Sequence, residues 1–411
     1  MTEYLPLQKI YYAEKSSERD SLVQGEAERR LNDASTFRTG VKIEYGELFL
    51  AMPRELSLLA ERLLRVERKV SQLWHELPGI AQGAYLRGLI IDEIVSTNGI
   101  ESIRSTRRQI QEALESIESA TPSREFRRFR EFTCLYYELI DKSHIVPQTP
   151  ADIRKIYDAI LEGELKKEQQ PDGEFFRKDP VDIVTSTQKV AHKGVVPEAS
   201  IIKLLEQMIS LVNSTDIPPL YTAIIAHYLF EYIHPFYDGN GITGRYLLAL
   251  NLSKPLSLAT VLSLSSVIAD NKRRYYKAFT TTESPLNHGE MTFFVIQMME
   301  FIRLAQDAVM ENLEEKKAKL ETALESLAGL KEEPYSLSRH ESDIMFIAVQ
   351  DYLFNAFEET SLEDISLNAK VGKQTARKRT LALEEKGLLK CISQRPLRFQ
   401  LTEQALTVFG I

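Results

Sequence analysis

Twelve residues, His234 to Arg245, read HPFYDGNGITGR and bring an imidazole, a carboxylate, three glycines and an arginine close together. Gly239 and Gly241 leave backbone N–H groups unobstructed where a loop enters a helix, which is the arrangement of a phosphate-oxygen nest. Asn240 tolerates unusual backbone angles and can donate from its amide. Asp238 is a hard oxygen ligand beside that nest, suited to a Mg²⁺ that neutralises a pyrophosphate. Arg245, expected in the first turn of the following helix, can hold phosphate in bidentate fashion. His234 is the one nearby proton acceptor with a suitable intrinsic pKa, and so a general base for a hydroxyl nucleophile. Taken singly, a histidine or a glycine loop is more often structural; the combination at this spacing reverses that judgement.

These groups need a scaffold, and the chain around them predicts helices. LYTAIIAHYLFEYI is apolar nearly all round, as in a helix buried at the centre of a bundle. Pro235 then helps to end it, leaving His234 at its C-terminus. Further helices are expected over Pro53–Leu77, over SREFRRFREFTCLYYELIDK, over PADIRKIYDAILEGEL and over EASIIKLLEQMISLVNS. AYLRGLIIDEIVSTNGIESI reads as helix to about Val95, followed by a Ser-Thr-Asn-Gly punctuation. Strand signal is scarce and lies mainly in Pro180–Val196, where β-branched and polar residues alternate as in a hairpin or flap. From Met291 to about Leu330 a core helix turns strongly charged, as a connector would. The fold class expected is mainly α.

The bulk composition sets limits. At 411 residues two or three domains are expected, and 43% hydrophobic with 27% charged residues excludes general disorder. The formal charge of −8 excludes a chain basic overall, while leaving room for a local basic patch. Cys134 and Cys391, far apart and without metal-type spacing, fit a reducing, cytoplasmic setting. No stretch approaches the roughly 18 apolar residues of a membrane span, so no membrane partner is expected. The other histidines form no ligand spacing, and a core role is expected for His227.

HPFYDGNGITGR resembles the signature of Fic-domain proteins, His-x-Phe-x-(Asp/Glu)-Gly-Asn-Gly-Arg-x-x-Arg, at His234, Phe236, Asp238, Gly239, Asn240, Gly241 and Arg245. The resemblance extends over roughly residues 90 to 300. It implies a helical protein that transfers AMP from ATP to a hydroxyl of a target protein and releases pyrophosphate. By that resemblance His234 deprotonates the target Tyr, Ser or Thr, and Asp238 holds Mg²⁺ on the α and β phosphates. Gly239, Asn240 and Gly241 form the anion hole, and Phe236 anchors the loop in the core. Val184, Thr185 and Ser186 of the hairpin register the target segment by main-chain pairing. Tyr275 and Tyr276 fall where the family often has a tyrosine pair near the nucleoside. Ile242 departs, standing where the family has its first arginine. A lost charge-assisted hydrogen bond is worth about 1.5–3 kcal/mol, or roughly ten- to a hundred-fold in phosphate affinity. That leaves base, metal ligand and anion hole in place, and leaves room for another nucleotide preference or the reverse reaction.

STNGIES, Ser96 to Ser102, resembles the inhibitory motif (Ser/Thr)-x-x-x-Glu-(Gly/Asn) of one class of the family, with Thr97 and Glu101 matching and Ser102 departing. The resemblance implies that Glu101 pairs with Arg245 and prevents a productive γ-phosphate position. A carboxylate beside an anion site would both occupy the arginine and repel phosphate.

After KEEPYS the character of the chain changes. A helix, a turn at Lys370–Gly372, a second helix from about Lys373 and two short strands around QRP give the order of a winged helix-turn-helix. Gln374, Thr375, Arg377 and Lys378 are expected on the exposed early recognition helix, with Arg395 and Arg398 at the wing. Local positive charge in an acidic chain is the footprint of binding to a phosphate backbone, although such modules also serve as protein-interaction or dimer domains. The expected organisation is therefore an N-terminal helical region with the inhibitory helix (1–110), a Fic catalytic core as a helical bundle with a small β-hairpin flap (111–300), a connector helix (301–334) and a winged helix-turn-helix (335–411). The expected activity is an ATP- and Mg²⁺-dependent protein adenylyltransferase restrained by Glu101. A nucleotide-sensing DNA-binding regulator with a weak or inactive core is the alternative. ATP, a target hydroxyl and DNA are the partners considered, and self-association into a homodimer is left open.

Overall fold

The computed structural model describes residues 4–118, 129–184, 190–330 and 332–411. It is mainly helical and divides into two compact units, one of Met1–Glu67 with Asp92–Gln306 and one of Arg68–Ile91 with Asp307–Ile411. Three helices, α3 (Arg54–Glu76), α4 (Gly79–Ile100) and α14 (Thr292–Gly329), contribute residues to both.

In the first unit, α1 (Leu7–Ala13) and α2 (Arg19–Leu31) precede a hairpin of β1 (Phe37–Ile43) and β2 (Gly46–Leu50). The strand signal of this hairpin was not expected from the sequence. Its backbone is completed from far along the chain: Phe49 donates to Gly289 at 3.2 Å and accepts from Met291 at 2.8 Å. A helix pair, α5 (Arg107–Glu118) and α6 (Arg130–Asp141), follows; the first part of the helix expected before Phe129 lies outside the described residues. Helix α7 (Pro150–Ile160) starts at a capping box in which Thr149 and Asp152 satisfy each other's backbone N–H groups. Such a cap stabilises a helix by about 1 kcal/mol. Strands β3 (Asp182–Val184) and β4 (Val190–Lys193) pair antiparallel as the expected hairpin, but Thr185 and Ser186 lie outside the described residues.

Helix α8 (Glu198–Asn213) packs on α9 (Pro219–Ile233), and α9 on α10 (Asn240–Leu252). In α9 every residue but Pro219 and Glu231 is buried, which explains why its sequence is apolar all round. Short helices α11 (Leu258–Val261), α12 (Leu264–Asp270) and α13 (Lys272–Thr282) lead to α14.

The second unit contains α15 (Arg339–Phe354), β5 (Thr360–Ser361), α16 (Leu362–Asn368), α17 (Lys373–Glu385), β6 (Leu389–Gln394), β7 (Leu397–Leu401) and α18 (Glu403–Phe409). Its three strands form an antiparallel sheet in the order β5-β7-β6. Ala376, Thr380 and Leu383 are the buried face of α17, while Gln374, Thr375, Arg377 and Lys378 are exposed. Arg398, expected on the wing, is instead 5% exposed and paired with Glu359 at 2.5 Å. It points inward because β7 has two consecutive buried residues, Arg398 and Phe399, where simple alternation would give one. No helix among the described residues is long and apolar enough to cross a membrane.

Candidate active site

Pro235 and Gly239 shape the junction between α9 and α10. His234 caps α9 with a left-handed backbone (φ 51°), and Gly239 is left-handed (φ 79°) at the N-cap of α10. A side chain at Gly239 would run into Leu161 as well as carrying backbone strain. The first N–H groups of α10, on Asn240, Gly241 and Ile242, precede any intrahelical partner and form the positive end of the helix. N–H groups so placed make a candidate anion cradle.

The Asn240 side chain has a different use from the one expected. Its Oδ1 accepts from Phe236 N–H at 2.9 Å and its Nδ2 donates to Phe236 C=O at 2.8 Å. Both ends of the amide are therefore committed to holding the loop, and only the backbone N–H of Asn240 faces the cradle's task. Phe236 is fully buried, stacked on Tyr157 with ring centroids 3.5 Å apart and close to Phe176. Ile242 is 1% exposed. Its side chain belongs to the core, and its N–H lies in the first turn of α10.

The surroundings of His234 fix its protonation. Its Nδ1 lies 3.3 Å from the Glu231 carbonyl, which can only accept, so Nδ1 carries the proton and the lone pair is on Nε2. Burial pushes its pKa down to about 3, helped by the nearby cationic Arg177, so the ring is neutral at physiological pH. Arg177 was not anticipated. It is fully buried and its guanidinium donates to the carbonyls of His234 (2.8 Å), Asp179 (2.7 Å) and Val195 (2.9 Å). It thereby ties the motif loop to the segment that follows β4, and a side chain at Gly194 would collide with it.

Asp238 is exposed, with Oδ1 accepting from Gly239 N–H at 2.7 Å and Oδ2 accepting from Gln169 Nε2 at 2.5 Å. No cluster of three metal-ligating side chains occurs among the described residues. A single carboxylate beside an anion cradle fits Mg²⁺, which completes its shell with waters and phosphate oxygens and does not need a protein cage.

Arg245 lies deeper than expected, in the second turn of α10, and is 2% exposed. Its Nε donates to Thr97 Oγ1 at 2.7 Å, and its Nη2 donates to Thr97 C=O at 3.2 Å and to Glu101 Oε1 at 2.8 Å. Thr97 lies in the last turn of α4 and Glu101 directly follows its end, four positions on, so both reach Arg245. The helix does not break near Val95 but continues to Ile100, with Thr97 and Asn98 buried and Ser102 left-handed (φ 62°) just beyond it. Glu101 stands so close to Gly241 that any side chain there would strike its carboxylate. Burial works against the Arg245 charge, but Glu101 and Glu231 outweigh it and hold the guanidinium above its ordinary value.

The expected tyrosine pair divides. Tyr275 is 2% exposed, with its hydroxyl 2.7 Å from His227 Nε2, so it is part of the core. Tyr276 is 47% exposed; burial and the field of Glu101 push its phenol up to about 12. His227 has the core role expected, with its other ring nitrogen 3.1 Å from the Gly244 carbonyl. Glu231 is a further unanticipated group. Its Oε1 is buried without a hydrogen-bond partner among the described residues, and burial pushes its pKa up to about 8. Nothing in the local sequence of Arg177 or Gln169 marks them, since each acts through partners distant in the chain, and Glu231 is distinguished only by its burial.

Residues 147–252, which contain α7 to α10 and the whole cradle, match the model of the Fic/DOC family. Over that segment the chain is similar to Fic/DOC domains. Among solved structures it is similar to a Fic family protein from Desulfovibrio desulfuricans G20, at 19% identity over 83% of this chain and 96% of that one, with a TM-score of 0.47. It is also similar to a Fic domain-containing signaling protein from Bacteroides thetaiotaomicron VPI-5482, at 15% identity over 60% of this chain and 95% of that one (TM-score 0.43). A fragment of Fic-1 from C. elegans is 20% identical over 63% of this chain and 76% of that one (TM-score 0.42). Within the matched segment, His234 and the start of α10 meet on one loop, and Arg245 follows in α10 with Glu101 as its partner.

Proposed function

We propose that this Fic domain is a protein adenylyltransferase that moves AMP from ATP to a Tyr, Ser or Thr hydroxyl of a target protein. The observation that carries the reading is His234 held neutral, with Nε2 bare, next to an anion cradle at the N-terminus of α10. In the forward step the hydroxyl oxygen attacks the α-phosphorus and its proton passes to His234 Nε2. The bond from the α-phosphorus to the bridging oxygen breaks, and pyrophosphate leaves. The N–H groups of Asn240, Gly241 and Ile242 receive phosphate charge in a fixed geometry, the kind of preorganised stabilisation that lowers a barrier most. Asp238 would hold Mg²⁺, which neutralises the charge of the phosphates when bound. The β3–β4 hairpin would align the target segment through main-chain pairing.

Arg245 is the remaining phosphate clamp, and Glu101 occupies it. In this reading the ion pair is a brake, because a phosphate must displace a carboxylate already bonded to the guanidinium. The reaction is tested with ATP labelled at the α-phosphate, Mg²⁺ and a lysate as a source of targets. Label transfer by the wild-type chain or by Glu101→Gly that disappears with His234→Ala supports transfer. Nucleotide binding without any transfer in either form would sink it.

The second unit supports an additional reading, with α16 and α17 as a helix-turn-helix and β6–β7 as a wing. Gln374, Thr375, Arg377 and Lys378 form an exposed polar and basic face on the first turns of α17, with Arg395 exposed between the strands. We infer from this face that the unit binds DNA, through which nucleotide occupancy in the Fic domain could be coupled to transcription. A shift assay over a salt series tests it, because phosphate contacts give a steep dependence of affinity on salt.

A further inference from the structure

Gln169 stands 69 residues before Asp238 in the chain, at the end of a one-turn 3₁₀ segment, Lys167–Gln169, yet it touches the Asp238 carboxylate. Its orientation is fixed. The amide Oε1 accepts from the Lys166 N–H at 3.0 Å, a position that only oxygen can fill, so Nε2 is the end directed at Asp238 Oδ2. Asp238 is thereby held at both oxygens, by Gly239 N–H on one side and by Gln169 on the other. Each oxygen retains a lone pair, and the residue is exposed to solvent. A carboxylate at the tip of a loop would otherwise rotate about its own bonds and lose entropy on binding a cation.

We propose that Gln169 is the positioning residue for the divalent cation at Asp238: it sets the plane of the carboxylate before any nucleotide arrives. The proposal rests on the reading of Asp238 as the cation ligand given above. Hydrogen-bond partners of metal-ligating carboxylates are worth about ten- to a hundred-fold in metal affinity. The 3₁₀ turn carries the donor to Asp238, and its own closure by Lys166 keeps the donor in place.

ADP is the probe, since its two phosphates reach the cation while it lacks the third phosphate that Glu101 would obstruct. Isothermal titration of ADP into the full chain, with Mg²⁺ and with EDTA, is compared for wild type, Gln169→Ala, Asp238→Ala and Lys166→Pro. In Gln169→Ala the gain in affinity that Mg²⁺ provides should fall roughly tenfold, while affinity in EDTA stays within about twofold. Lys166→Pro removes the N–H that fixes the Gln169 amide, so it should lose part of the gain while affinity in EDTA stays within about twofold. If Asp238→Ala loses the gain and Gln169→Ala keeps it, the role of Gln169 is overturned and the cation reading stands. If Asp238→Ala keeps the gain, the cation reading fails and the role of Gln169 falls with it. Equal losses with Mg²⁺ and EDTA in Gln169→Ala or in Lys166→Pro would assign the contact to loop structure and overturn the proposal.

Discussion

The motif loop and the basic face of α17 both present cations and polar groups, and they do so in opposite ways. In the loop the arginines are inside: Arg245 and Arg177 are almost without solvent contact and every bond they make is to a fixed partner. On α17 the cations are outside. Arg377 and Lys378 are exposed, and Lys373 forms only a solvated pair with Glu363. A buried cation is part of the fold and its position encodes geometry. A surface cation contributes little to the fold and is available to an external partner. The same contrast recurs within the second unit, where Arg398 is buried against Glu359 and Arg395, three positions earlier, is exposed.

The contrast can be broken by mutation. The largest effect is expected for Arg245→Ala, which leaves Glu101 and Thr97 without their partner and should destabilise the first unit by about 3–5 kcal/mol. Arg398→Ala should cost the second unit a comparable amount, while Arg395→Ala should change stability by less than about 0.5 kcal/mol. Denaturant titration of the four proteins, wild type included, measures this; equal effects from Arg398 and Arg395 would erase the contrast. Arg377→Ala and Lys378→Ala should leave stability within about 0.5 kcal/mol but each reduce the salt slope of DNA affinity by about 0.9. Unchanged slopes in both would place any DNA contact elsewhere.

An effect read against pH rather than by loss of a partner concerns Glu231. Its pKa is about 8 in the folded chain against an ordinary 4.5, so the folded state holds a proton that the unfolded state has released. Its contribution is complete below pH 4.5 and is lost as pH rises through 8, at no more than about 1.4 kcal/mol per pH unit. Glu231→Gln mimics the protonated form. Its melting temperature relative to wild type should therefore rise between pH 6.5 and pH 8.5, and a constant difference would show that Glu231 is ionised in the fold.

Much of this was legible in the chain, for reasons that can be named. Helix α9 could be read because burial on all sides leaves an unbroken apolar record, and its end could be read from Pro235. The cradle was visible because only glycine satisfies a left-handed N-cap pressed against Leu161. The resemblance of STNGIES to the inhibitory motif implied a pairing of Glu101 with Arg245, and the two lie 2.8 Å apart. The end of α4 was misread because Ser-Thr-Asn-Gly is a poor helical sequence, whereas packing of Thr97 on Arg245 carries the helix through it. Ile242 looked like a missing phosphate ligand, and its side chain is part of the core while its N–H lies in the first turn of α10. Arg177 and Gln169 were beyond reach because their partners lie 57 and 69 residues away, and only the fold brings them together.

The central claim is that one arginine serves either a brake or a phosphate, and that His234 does the chemistry once the brake is off. It is tested most directly by measuring AMP transfer from α-labelled ATP in wild type, Glu101→Gly and the Glu101→Gly/His234→Ala double variant. Removing the charge-assisted bond worth about 1.5–3 kcal/mol should raise transfer by roughly ten- to a hundred-fold, and the double variant should return it to background. Transfer in Glu101→Gly no higher than in wild type, or transfer that persists without His234, would contradict the claim.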